Sequence, residues 1–219
     1  MLRKNGWFYW PYLLFISLAG ATLLLFSKTE IHLFLNAFHC KSADLAFIFL
    51  THLGDGITVA LFILSLLFIK YRYAIIMFLS TISVTLTVQA FKRYILPDIN
   101  RPKIVFEHLA ELYYVPGIQV HTSHSFPSGH TASGFSIFLL MALITKNKYL
   151  KLVYFFVALL IAYSRVYLSQ HFLIDIYFGS IIAVLLTGFN YVWVNKWKNK
   201  KLDLSLSTSL RIKKNDRNK

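Results

Sequence analysis

Residues 164–175 read Ser164-Arg165-Val166-Tyr167-Leu168-Ser169-Gln170-His171-Phe172-Leu173-Ile174-Asp175 and join two apolar runs, residues 150–167 and 172–194. Each run is close to the ~20 residues that a helix needs to cross a bilayer. Arg165, His171 and Asp175 are therefore ionisable groups at or near membrane depth. Such groups are costly there, and they indicate a functional site.

The rest of the chain has the same character. Of its 219 residues, 57% are hydrophobic and only 15% are charged, which is too apolar for one soluble core. The apolar segments predict an all-α, polytopic membrane protein with six transmembrane helices, at about residues 12–26, 56–69, 73–94, 129–144, 150–167 and 172–194. Residues 1–198 would form the membrane domain, and residues 199–219 a basic, disordered cytoplasmic tail.

The basic residues predict the orientation of these helices. The loops on one side, together with the two termini, carry 16 of the 23 Lys and Arg residues, so both termini are expected in the cytoplasm. The polar motifs then lie at the non-cytoplasmic face, and the short chain suits a bacterial inner membrane with a periplasmic or extracellular site. Arg3 and Lys4 before an apolar run also fit a secretory signal peptide. Trp7 and Trp10, and the lack of a small-residue cleavage site after Phe26, favour an uncleaved helix.

Several classes of partner are disfavoured. The net charge of +14 does not indicate nucleic acid, because the basic residues lie in short loops and the tail. The single Cys40 excludes an intramolecular disulfide, and no Cys/His cluster has zinc spacing. The sequence therefore predicts no metal and no cofactor, and it gives no oligomeric state.

Three polar motifs are expected to reach the same membrane face and to form one anion site. The ammonium group of Lys and the forked guanidinium group of Arg match a tetrahedral oxyanion. Backbone amides at the start of a helix point at the same anion. The predicted ligands are Lys92, Arg101, Ser128, Gly129 and Arg165.

Two histidines add chemistry to this anion site. His171 and Asp175 are four residues apart, so on a helix the carboxylate can fix the tautomer of the ring and leave the other nitrogen as a nucleophile. His130 is a second imidazole, suited to protonating the departing oxygen. Together they describe phosphoryl transfer through a phosphohistidine.

These motifs resemble the type 2 phosphatidic acid phosphatase family, which shares its site with vanadium haloperoxidases. Pro127-Ser128-Gly129-His130 matches intact, and so does Ser164-Arg165 with its spacing to His171 and Asp175. The first family motif, a Lys followed by an Arg-Pro pair, differs in its spacing here, because eight residues separate Lys92 from Arg101-Pro102 instead of the usual six. Either Lys92 or Arg93 is therefore open as its phosphate ligand.

The resemblance implies an integral membrane hydrolase that acts on a lipid phosphate or diphosphate, with no metal requirement. By it, His171 is the nucleophile, Asp175 its partner and His130 the general acid. The substrates implied are undecaprenyl diphosphate, phosphatidic acid, phosphatidylglycerol phosphate or lipid A phosphate. Two alternatives are a vanadate-dependent, haloperoxidase-like oxidoreductase, disfavoured by six apolar segments, and a non-catalytic lipid-phosphate binding or transport protein, disfavoured by the presence of both histidines.

Two neighbouring regions are expected to play smaller parts. Asp55, between two glycines, is predicted to form a turn and not to act as a catalytic acid. His121 and His124 lie close before the Pro127-Ser128-Gly129-His130 turn and could contact substrate, but as loop residues without a defined role they are expected to be solvated. Residues 103–122 are predicted to hold a short amphipathic helix that serves as a lid or lipid entry wall, with Phe106 and Leu109 on its apolar side.

Overall fold

The computed structural model describes residues 3–217, and the described part is helical, with no β-strand. Its α-helices are α1 (Gly6–Leu25), α2 (Lys28–Asn36), α3 (Lys41–His52), α4 (Gly56–Leu67), α5 (Tyr71–Ala90), α6 (Pro102–Phe106), α7 (Gly129–Ile144), α8 (Lys148–Tyr167), α9 (Leu173–Asn195) and α10 (Leu206–Arg217). The all-α prediction is therefore confirmed.

Four segments are long and apolar enough to cross a membrane by length and composition: α1, α8, α9 and the segment Tyr71–Ile95 that contains α5. A fifth results if α3 and α4, which are bent by 56° at a short break, count as one span. Large apolar side chains on their outer faces are exposed, among them Leu24, Leu61, Phe78, Leu86 and Phe189. An exposed apolar surface of this extent is what an integral membrane protein presents to lipid.

The first of these helices is longer than the sequence predicted. It begins at Gly6 and not near Tyr12, because Trp7, Phe8, Tyr9 and Trp10 belong to it. Aromatic residues at the membrane interface can belong to a helix although they lie outside the aliphatic run from which its start was predicted.

Helix α7 is the centre of the bundle. Most of its side chains are buried, and it packs against α5, α8 and α9. Gly134 shows how closely it packs, because a Cβ atom placed there would lie 3.0 Å from Ile161 Cγ2 of α8. At 16 residues α7 is short for a span, but its surroundings are protein and not lipid.

The predicted second span is replaced by the broken pair α3 and α4. The sequence places a span at about 56–69, and α4 ends at Leu67. The preceding apolar stretch forms its own helix, α3, which packs on α8. The break contains Gly54 and Asp55, which do not continue a helix easily.

The segment between α5 and α7 begins with a π-helix, Phe91–Ile95, at the end of α5. Its wider turn is closed by a 2.8 Å hydrogen bond from the Leu96 amide to the Phe91 carbonyl. Two backbone bonds then tie the loop together, from the Arg101 amide to the Thr122 carbonyl (2.9 Å) and from the Ser125 amide to the Ile99 carbonyl (2.9 Å).

The amphipathic helix predicted within residues 103–122 is largely wrong. Helix α6 has five residues, Pro102–Phe106, and the chain then continues through turns. Phe106 is buried against His32 and Phe172, with ring centroids 5.6 Å apart for the first pair, whereas Leu109 is exposed. The two apolar residues therefore do not share a surface, because Phe106 anchors the loop in the protein core.

The structure describes residues 199–217 of the tail, for which the sequence predicts disorder. Residues Lys200–Asp203 form a 3-10 helix. Asp203 pairs with both Nε and Nη2 of the buried Arg72, at 3.0 and 2.9 Å, and the Arg72 Nη1 atom donates to the Val194 carbonyl at 2.7 Å. This pairing fastens the start of the tail to α5 and α9.

Candidate active site

His171 and Asp175 form a buried pair at the start of α9. His171 Nδ1 lies 3.2 Å from Asp175 Oδ2, and both side chains are almost fully buried. The same oxygen accepts hydrogen bonds from Ser125 Oγ (2.5 Å) and from the Phe172 amide (2.9 Å). Asp175 therefore fixes the ring through Nδ1, which leaves Nε2 for reaction.

The sequence Pro127-Ser128-Gly129-His130 forms the turn into α7. Ser128 caps that helix, and its Oγ accepts from the Thr131 amide and hydroxyl. Its own amide donates to the Asp175 carbonyl at 3.1 Å, which joins this turn directly to the His171 segment. Gly179 of α9 lies so close that an added Cβ atom would be 2.7 Å from the Ser128 carbonyl oxygen.

Arg101 enters the same region from the loop before α6. Its Nε atom donates to the Ser123 carbonyl (2.9 Å), and its Nη1 atom donates to the carbonyl (3.0 Å) and side-chain oxygen (3.1 Å) of Gln170. Burial lowers the pKa of Arg101 and the nearby Asp175 carboxylate opposes this, so the guanidinium stays cationic. Its outer nitrogen, Nη2, makes no hydrogen bond to the residues that the structure describes and is available to an anion.

Arg165 comes from the last turn of α8 and is buried. Its Nη1 atom contacts Thr51 Oγ1 at the end of α3, and its Nε atom has no hydrogen-bond partner among the residues that the structure describes. A buried guanidinium with an unmatched donor is a suitable partner for an anion.

Lys92 and Arg93 take different directions, which decides which of them belongs to this cluster. Lys92 is partly buried and interacts electrostatically with Arg101, Asp175 and Arg165. Arg93 is exposed, and its Nε atom donates to Gln89 at 3.2 Å. The π-helix absorbs part of the long spacing to Arg101, so that Lys92 faces the other cations.

His171 is surrounded by positive charge. Burial is the main cause that lowers its pKa well below 6.5, and the positive charges of Arg101, Lys92 and Arg165 lower it further. The ring is thus neutral at neutral pH and keeps a free lone pair, which a nucleophile needs. His121, on the exposed loop, is close enough to the same three cations that burial and their charges lower its pKa. A cavity of about 430 Å³ opens there, lined by Arg101, His121 and residues 119–124.

His130, at the start of α7, has a partner that the sequence did not predict. Its Nε2 atom lies 2.6 Å from Asp55 Oδ1, and the other oxygen of Asp55 lies 2.7 Å from His52 Nδ1. Asp55 does lie at the predicted turn, but its carboxylate joins two histidines. The only signal in the sequence was an acidic residue between two glycines. Gln170 was also missed, although it follows the predicted Arg165 by five residues.

The eight predicted site residues thus converge from four segments, the end of α5, the loop before α6, the start of α7 and the α8–α9 junction. They bring three cations, a helix start and two imidazoles to one region. Among the described residues, no three His, Cys, Asp or Glu side chains are placed as ligands of one metal ion. Such an arrangement can bind a phosphate-like anion and attack it with a histidine.

A family model described as the PAP2 superfamily matches residues 73–199, more than half of the chain. The chain belongs to the PAP2 superfamily. It is accordingly a phosphatase of the type 2 phosphatidic acid phosphatase family, as the motifs predicted. All eight predicted site residues lie within the matched region, whereas Thr51 and Asp55 lie outside it.

Two solved structures have the same fold. LpxE from Aquifex aeolicus is 24% identical, with 74% of this chain and 92% of that chain covered and a TM-score of 0.65. A transmembrane PAP2-type phosphatidylglycerolphosphate phosphatase from Bacillus subtilis is 21% identical, with 91% and 99% covered and a TM-score of 0.64. Among curated proteins, no significant match was found.

Proposed function

We propose that this PAP2 protein hydrolyses the phosphate of a membrane lipid through a phosphohistidine formed on His171. The observation that carries the proposal is the buried His171–Asp175 pair, 3.2 Å apart, set among Lys92, Arg101 and Arg165. The carboxylate orients the ring, while burial and the cations keep it neutral, and the cations attract an anion to it. A purely structural pair would not require three cations around a buried imidazole.

The reaction has two steps. The substrate phosphate binds among Lys92, Arg101, Arg165 and the backbone amides at the start of α7, and His171 Nε2 attacks phosphorus. As the bond to the leaving group breaks, His130 gives a proton to the departing oxygen. Water then attacks the phosphohistidine, returns a proton to His130 and releases inorganic phosphate. Asp175 holds the Nδ1 proton throughout and stabilises the positive charge that develops on the ring.

A lipid is the substrate class that best fits the setting. The segments around the site expose large apolar side chains, so a substrate with acyl or prenyl chains reaches the phosphate site by lateral diffusion. Phosphatidylglycerol phosphate is a first candidate, because the similar structure from Bacillus subtilis is a phosphatase of that lipid. Phosphatidic acid, undecaprenyl diphosphate and lipid A phosphate are the others.

The proposed topology has six spans, α1, the α3–α4 pair, α5 with its π-helix, α7, α8 and α9. With both termini in the cytoplasm, the site faces the non-cytoplasmic side of a bacterial inner membrane. The distribution of 16 of 23 basic residues on the opposite side supports this orientation. Residues 1–198 form the membrane domain in this proposal.

The test is phosphate release from a panel of lipid mono- and diphosphates by purified protein in detergent. His171→Asn is the inactive variant, and His108→Asn is the matched control, because His108 is exposed in the loop after α6. We expect wild type and His108→Asn to release phosphate at similar rates and His171→Asn to lose at least ~10³-fold. If wild type and His171→Asn behave alike on every lipid, the proposed function is wrong.

A further inference from the structure

The break between α3 and α4 provides contacts to two of the polar residues of the site. Thr51, in the last turn of α3, accepts from Arg165, and Asp55, before α4, contacts His130. We propose that Asp55 is the positioning residue of the general acid His130, which deepens the proposed function and rests on it. Asp55 itself touches no substrate in this proposal.

The contact between Asp55 and His130 is fixed from both sides. Asp55 Oδ2 lies 2.7 Å from His52 Nδ1, and the His52 carbonyl accepts from Thr58 Oγ1 at 2.7 Å. The break also packs directly on the start of α7, since a Cβ atom on Gly54 would lie 2.7 Å from the His130 carbonyl oxygen. Only glycine allows this approach, and the approach brings the Asp55 carboxylate within 2.6 Å of the ring.

This geometry selects which nitrogen of His130 can react. Asp55 Oδ1 accepts the proton on Nε2, so the proton delivered to the leaving group is the one on Nδ1. In the first step the Nδ1–H bond breaks, the leaving-group oxygen takes that proton, and the ring is left neutral with Nε2–H still directed at Asp55. In the second step Nδ1 takes a proton from the attacking water, and the carboxylate stabilises the imidazolium that forms again.

Space for a leaving group lies beside this pair. A cavity of about 170 Å³ between α4 and α5 is lined by Gly54, Gly56, Val84, Val88, Gly129 and His130, among others. The cavity is small, and its lining is mixed, with Thr85, Gln89 and Ser133 beside the two valines.

Asp55 and His130 are each about one-third exposed, at 33% and 34% of the side chain. An ion pair at such a position contributes little to stability in water-like surroundings. If the pair had a purely structural role, its removal would therefore change the stability of the fold slightly and would affect the activity on all substrates alike. A positioning role for the general acid predicts a different pattern, because the need for a proton depends on the leaving group.

The experiment compares two substrates in detergent, phosphatidic acid, whose alcohol leaves poorly without a proton, and 4-nitrophenyl phosphate, whose phenolate leaves readily. The readout is kcat/KM, because it reports the step in which the leaving group departs and not the later hydrolysis of the phosphohistidine, which both substrates share. For Asp55→Asn we expect kcat/KM on phosphatidic acid to fall by about 10- to 100-fold, and kcat/KM on 4-nitrophenyl phosphate to fall by less than about 3-fold. His130→Asn should show the same pattern more strongly. The double variant should lose no more than His130→Asn alone, because both changes act through one group.

The matched control is His108→Gln, at an exposed histidine in the loop after α6 and outside the break between α3 and α4. We expect it to retain kcat/KM within about 3-fold on both substrates. Asp55→Ser provides a second variant if Asp55→Asn does not fold. An equal loss on both substrates, no loss on phosphatidic acid, or a double variant whose losses multiply would overturn the proposed role of Asp55. A wild type no more active than His171→Asn on every lipid would instead overturn the proposed function on which it rests.

Discussion

Gly179 is the position where one added methyl group should disturb the site most directly. An alanine Cβ atom there would lie 2.7 Å from the Ser128 carbonyl oxygen and 3.4 Å from Thr131 Cβ. The obstacle is backbone, and it is held in place because the Ser128 amide donates to the Asp175 carbonyl at 3.1 Å. Gly179→Ala must therefore move α9, which carries Asp175, away from the turn that carries Ser128.

The size of the effect follows from this contact. A Cβ atom rarely approaches another atom closer than about 3.0–3.4 Å, so the two segments must separate by roughly 0.5 Å. Overpacking costs about 1–3 kcal/mol, and alanine regains ~1 kcal/mol of helix propensity. Since a fixed backbone carbonyl cannot turn aside, we expect about 2 kcal/mol of net destabilisation. The melting temperature should then fall by roughly 4–8 °C.

The activity should fall as well, because the displacement separates His171 from the amides at the start of α7. A misplacement of ~1 Å costs about 100-fold in rate, so ~0.5 Å should cost on the order of 10-fold in kcat. The assay is phosphate release from phosphatidic acid in detergent, with thermal unfolding of the same samples.

Two alanine variants separate stability from site geometry. Gly56→Ala meets no atom within 4 Å and should leave the melting temperature unchanged. Gly134→Ala meets the Ile161 side chain at 3.0 Å and should lower the melting temperature without a comparable loss of kcat. If Gly179→Ala keeps wild-type kcat and melting temperature, the close packing of α9 on the turn does not constrain the site.

Two further predictions concern charged groups. Lys92→Gln should lower kcat/KM by about 10- to 100-fold in phosphate-release assays, since a charge-assisted hydrogen bond contributes about 1.5–3 kcal/mol. Arg93→Gln should stay within about 3-fold of wild type. The opposite ranking would assign the ligand role to Arg93. Burial lowers the pKa of His32 from 6.5 to about 4, so the stability that its neutral ring contributes is present above pH 6.5 and is lost as the pH falls toward 4, by roughly 3 kcal/mol. His32→Gln should flatten this loss in thermal unfolding between pH 7 and 4.5, while His108→Gln, at an exposed histidine, should not.

The sequence predicted the parts of this protein that depend on local spacing. His171 and Asp175 are four residues apart on a helix, and the structure places them 3.2 Å apart. Ser128 precedes a glycine and an apolar run, and it caps α7. Both relations are decided within one turn of helix, so no knowledge of tertiary packing is needed to foresee them.

Relations that depend on tertiary packing were missed. Whether Lys92 or Arg93 faces the other cations depends on the π-helix, whose single wider turn changes the direction of each side chain and leaves no mark in hydrophobic periodicity. Within its own segment, Phe106 was predicted to lie on the apolar side of an amphipathic helix. It is buried in the protein instead, because His32 and Phe172, 74 and 66 residues away, cover it. Asp203 belongs to a polar tail by composition, and only the distant Arg72 makes it part of a folded structure.

The break between α3 and α4 is the clearest case of a feature that makes physical sense only with the site in view. A bent span leaves backbone groups without helical partners, which is costly at membrane depth unless protein or a polar cavity satisfies them. Here the Gly54 and Asp55 amides bond back to the Thr51 and His52 carbonyls at 3.0 and 3.1 Å, so the bend keeps its backbone groups paired. In a straight helix, the position of the Asp55 side chain would be set by helical periodicity alone. Gly54 would then lack its close contact with the start of α7. The bend is what brings Thr51 to Arg165 and Asp55 to His130, and for that reason a segment outside the matched family region can still contribute to the chemistry.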